Sequence, residues 1–92
     1  MPRARINPDE VMAFAASLQR KVEELRSRRT AMTGAVAQLA GGWSDAKFVQ
    51  FQARFTEALR EINQFCTTAD TYVQHVRGKA RKAQAFLDRR GY

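Results

Sequence analysis

Apolar residues recur along the chain in two helical stretches, separated by a short glycine-containing break. Val11, Leu18, Leu25, Met32 and Leu39 fall at intervals of seven, with Ala15, Val22 and Val36 as a companion line interrupted by Arg29. A stripe sustained over four heptads predicts a long amphipathic helix with a coiled-coil-like seam. After the break, Phe48, Phe55, Ile62, Ala69, Val76 and Ala83 repeat every seven residues. Phe51, Ala58, Phe65, Tyr72 and Phe86 run beside them, as do Leu59, Cys66, Val73 and Leu87. This second apolar face is wider than a two-stranded seam requires, so it predicts contact with the sister helix and with a second molecule.

Local signals mark where the helices start and stop. Asn7 suits the cap of the first helix, Pro8 its first turn, and Glu10 the third position after the cap, with Ile6 and Val11 at the hydrophobic-staple positions. Asp9 and Glu10 place negative charge at the positive end of the helix dipole. Thr30, Thr33 and Gly34 lower helix propensity without breaking the pattern. A helix over about residues 8–40 would be roughly 50 Å long. Gly41 and Gly42 let the chain reverse, Trp43 is the largest apolar side chain at the bend, and Ser44 or Asp45 caps the second helix. That helix is expected over about residues 45–88, with a softer segment near Gly78 and a stop at Gly91. The fold expected is a single all-α domain over residues 1–92, an antiparallel two-helix hairpin that dimerises into a four-helix bundle. Phe48, Phe51, Phe55, Leu59, Ile62 and Phe65, with Leu18, Leu25 and Met32, are the expected shared core.

Folding at the bend pairs residue i with one near 86 − i, which sets Arg29 beside Glu57 and Glu61 and brings Arg3 and Arg5 to Arg81 and Lys82. The net charge is +7, from 16 Lys and Arg against 9 Asp and Glu. Both halves contribute, but Arg77, Lys79, Arg81, Lys82, Arg89 and Arg90 face only Asp88 near the end of the chain, a basic patch. Cys66 is the lone cysteine, so an internal disulfide and a cysteine-based zinc cluster are excluded, and its apolar neighbours predict a small buried hydrophobe. No stretch approaches the apolar length of a membrane span. Arg3 and Arg5 precede no apolar segment, so no cleaved signal peptide is expected.

Catalysis has little to stand on. His75 is the single histidine, and Asp70 five residues before it is off its helix face. Glu57 and Glu61 have the i, i+4 spacing found in di-iron bundles, but the Glu-x-x-His companion is absent. No enzyme activity, cofactor or metal is expected. Basic charge with Arg26, Arg28 and Arg29 as a second group leaves nucleic-acid binding as the main competitor. The aromatics, however, lie at core spacing rather than among the charges. An acidic protein partner accounts for the same charge, and a structural coiled-coil subunit of a larger assembly fits the same two-segment pattern.

The run Gly42-Trp43-Ser44-Asp45-Ala46-Lys47-Phe48, the Phe51/Phe55 spacing and the two-helix length resemble the WXG superfamily, small hundred-residue helical hairpins related to the early secreted antigenic target. Two departures stand out. The family's third motif position is glycine where this chain has Asp45, and the Tyr-x-x-x-Asp/Glu signal of many secreted members is missing, since Val76 follows Tyr72 at that spacing. Many classical members are also acidic. The resemblance implies a bundle of two hairpins, formed with itself or with a related hairpin. It also implies a bacterial protein of type VII secretion, as substrate, co-secreted partner or adaptor of a larger toxin or secretion component. Such a protein is secreted without a cleaved signal peptide, or is cytoplasmic before export. Trp43, supported by Gly42 and Asp45, is the expected recognition knob, and Phe48, Phe51 and Phe55 complete the expected partner-binding set.

Overall fold

The computed structural model describes residues 7–89. Two helices fill it, α1 over Pro8–Ala40 and α2 over Ala46–Arg89, folded back on one another into a rod of 69 × 26 × 15 Å. The start of α1 follows its local chemistry. Asn7 has extended backbone, and its side-chain oxygen accepts from the amides of Asp9 (3.0 Å) and Glu10 (3.3 Å). These bonds satisfy amides that have no partner within the helix. The staple expected between Ile6 and Val11, the helix stop at Gly91, and the approach of Arg3 and Arg5 to Arg81 and Lys82 lie outside the described residues.

The reversal needs no special glycine conformation. Gly41 closes α1 with φ −67° and ψ −20°, ordinary right-handed backbone, and the amides of Gly41 and Gly42 donate to Gln38 and Leu39. A Cβ added at Gly42 would meet nothing within 4 Å. The expectation that Gly42 supports the geometry of Trp43 therefore has no steric basis. Asp45, rather than Ser44, caps α2: its carboxylate accepts from the Phe48 amide at 2.8 Å.

The seam within one hairpin takes up part of the core expected for the bundle: Phe48 is buried, and Leu18, Leu25, Phe55, Leu59 and Ile62 are half-buried. Beyond Phe48 near the tip, small and medium side chains fill it: Ala15 and Val22 from α1, with Cys66, Ala69, Val73 and Ala80 from α2. Leu18, Leu25 and Ile62 pack beside Val22, Cys66 and Ala69 and are only half-buried. Met32, Phe51 and Phe65, placed in the shared core from the sequence, are exposed on the single hairpin. The reason is size. Small residues at the contact let the two backbones approach, and this rotates the larger residues one position along each heptad to the flank of the seam.

The two flanks of the seam are chemically different. Along one, Arg77 donates to Gln19 (2.6 Å), Arg26 pairs with Asp70 (2.6 Å), and Arg29 donates to Asn63 (2.6 Å). Arg29 thus meets Asn63 rather than Glu57 or Glu61. Side chains lean toward the amino terminus of their own helix, so an arginine on α1 reaches away from the tip while its acceptor on α2 reaches back. The hydrogen bond that the Arg26 guanidinium donates to Asp70 raises its pKa above the ordinary value. Screened by solvent, each such contact adds little to stability on its own. Together they align the helices and close that flank with polar groups.

Candidate partner-binding surface

The opposite flank is apolar and open. Leu18, Leu25 and Phe65 line one groove with Lys21 and Arg28 at its rim, and Phe14 meets Tyr72 edge-on at 6.4 Å. Phe65 keeps 54% of its surface exposed and Phe51 50%. Met32 and Leu39 are exposed as well, and continue the Leu18–Leu25 line toward the tip at the same seven-residue spacing. Nearer the tip, Phe51 lies between Phe48 and Phe55, with ring centroids 6.2 and 6.0 Å apart. These aromatic and aliphatic groups form a run of apolar surface along the length of the hairpin. Exposed patches of that extent mark interaction sites.

The structure sorts the residues named from the sequence. Phe51 is open to a partner and Phe55 is half-buried. Phe48 has only 7% of its surface exposed, so its ring packs within the hairpin itself. Three residues separate Phe48 from Phe51, about 60° of rotation on a helix, enough to move one ring inside and the other to the flank. Trp43 stands at the tip with 53% of its surface exposed, in a five-residue connection between the helices. Asp45 acts through the backbone, as a cap. Sequence reasoning missed Phe14 and Phe65 as surface groups, because periodicity reports that a residue is apolar without saying which neighbour it faces.

The basic patch is only partly a patch. Arg77 is held by Gln19, while Arg81 is exposed beside a groove that Asp9 at the start of α1 also lines. Lys79, Lys82 and Arg89 are exposed, and Arg90 lies outside the described residues. Cys66 is buried in the seam, and His75 is exposed with its ring 6.3 Å from that of Tyr72. Among the described residues no three His, Cys, Asp or Glu side chains are placed to hold a metal ion, and no helix is long and apolar enough to cross a membrane.

The family model for proteins of 100 residues with WXG matches residues 3–86. The chain belongs to the WXG100 family. The hairpin is similar to solved structures of the secreted protein EsxB from Bacillus anthracis str. Sterne. Its selenomethionine-labelled form aligns with TM-score 0.79 at 20% identity, covering 94% of this chain and 98% of that one. The wild-type form aligns with TM-score 0.75 at 21% identity, covering 89% and 94%. No curated protein sequence matches the chain. Within the WXG100 family the Trp43-Ser44-Asp45 variant now has a physical account: the side chain at the third position caps α2, and ordinary backbone at Gly41 makes the turn.

Proposed function

We propose that this chain is a non-enzymatic protein–protein interaction module. Its apolar flank pairs with a second hairpin, a copy of itself or a relative, to complete a four-helix bundle. In the cell it serves type VII secretion, as a small exported protein or as the partner or adaptor of a larger substrate or toxin. The observation that carries this reading is the asymmetry of the hairpin. One flank of the seam is closed by Arg–Asp, Arg–Asn and Arg–Gln contacts, while the other exposes Phe14, Phe51, Phe65 and Met32. Membership of the WXG100 family and the secreted EsxB neighbours support the secretion context.

A photo-crosslinking amino acid at Phe65, on the open flank, tests it against the same group at Gln64, which points away from the seam. In bacteria that encode the chain, Phe65 is expected to capture a second small hairpin and Gln64 to capture none. Equal capture from both positions, or none from Phe65, would overturn the pairing face.

A further inference from the structure

The end of α2 distant from the tip carries a second surface that hairpin pairing does not explain. Charge is unevenly spread along this helix. Residues 46–70 hold three basic residues (Lys47, Arg54, Arg60) and three acidic ones (Glu57, Glu61, Asp70), whereas residues 71–89 hold five basic residues and only Asp88. Tyr72, His75, Lys79, Lys82, Phe86 and Arg89 follow one another at alternating steps of three and four, which places them on one face of the helix. All six are exposed. The stripe is about 26 Å long at 1.5 Å per residue. Asp88 is turned about 100° from Arg89 and accepts from Gln84 at 3.1 Å, off the stripe.

We propose that this stripe binds single-stranded nucleic acid, with Lys79, Lys82 and Arg89 on the phosphates and the exposed rings of Tyr72, His75 and Phe86 as stacking surfaces for bases. Three cations and three exposed rings on one helix face, two rings then two cations then Phe86 and Arg89, offer what a flexible, charged strand of flat bases requires. A lipid surface is disfavoured because the apolar line of this segment is already used: Val73 and Ala80 are buried against α1, and Val76 and Ala83 are half-buried. What remains outside is a set of rings interspersed with Lys79, Lys82 and Arg89, with Leu87 beside them, and not a continuous apolar face for insertion. An acidic protein would answer the charge but has no need of the rings. The proposal does not rest on hairpin pairing. Tyr72 borders the pairing face, and the test leaves it untouched.

Fluorescence anisotropy of a labelled oligothymidylate of about 20 nucleotides, longer than a single site of about 4–16, reads the interaction with the full chain. Three phosphate contacts predict a slope of about −2 for log affinity against log salt. The variant K79Q/K82Q/R89Q is expected to lose at least about tenfold in affinity and most of that slope. The charge-matched K47Q/R54Q/R60Q is expected to bind like the parent. Circular dichroism checks that both remain helical, and Lys82→Glu alone replaces the triple variant if that one unfolds. Three results would overturn the proposal: no saturable binding below about 100 µM at low salt, equal losses in the two charge-matched variants, or equally tight binding to polyglutamate or anionic vesicles.

Discussion

Asp45 stands at the third position of the motif, and its side chain caps α2. Its carboxylate takes the Phe48 amide, one of the amides that the first turn of α2 leaves without a partner. Asp45→Ala is therefore expected to lower stability by about 1 kcal/mol, read as a fall in the urea midpoint at constant slope. Trp43 is a different case. Because half of its surface is exposed on the hairpin, Trp43→Ala should leave the thermal midpoint of the hairpin nearly unchanged while weakening capture of the partner. A large fall in stability with partner capture intact would make Trp43 a closing residue of the bundle instead of a recognition knob. Both residues were legible in the sequence as tip residues, Asp45 as one of two candidate caps. The choice of Asp45 over Ser44 and the exposure of Trp43 were not, since they depend on how the backbone leaves α1.

At the scale of the helices, the seam is set by side-chain size. Ala15, Val22, Cys66, Ala69, Val73 and Ala80 let α1 and α2 approach closely, and, apart from the buried Phe48, the larger Leu, Met and Phe side chains stand to one side. Gly78 lies in the same half of α2, and a Cβ added there meets nothing within 4 Å. Gly78→Ala is expected to raise stability by about 0.5–1 kcal/mol, seen as a higher thermal midpoint, because it restores helix propensity without a clash. The helices themselves were readable from Asn7-Pro8 at one end, from Asp45 at the start of α2 and from the heptads between, since caps and periodicity act over a few residues. The seam was not. Two adjacent apolar lines on each helix are equally hydrophobic, and a binary pattern cannot tell which faces the sister helix. The Arg26–Asp70 pair, 44 residues apart in the chain, leaves no local signal at all.

At the scale of the molecule, a narrow rod with one polar and one apolar flank is incomplete as a single hairpin. Small domains bury a limited share of their surface, and here much of the aromatic content lies on the outside. Phe14, Phe51 and Phe65 are about half-exposed, a loss that a second hairpin laid on the same flank would recover. The net charge of +7 opposes close approach of two copies at low ionic strength, so moderate salt is the fair condition. The most direct measurement is the native mass of the purified chain by light scattering during size exclusion. The account predicts a mass near twice 10.5 kDa, falling toward one chain when Phe65 is replaced by Asp. A helical, monodisperse species of 10.5 kDa that persists at high concentration would contradict pairing of the chain with a copy of itself and leave a related hairpin as the cover of the apolar flank.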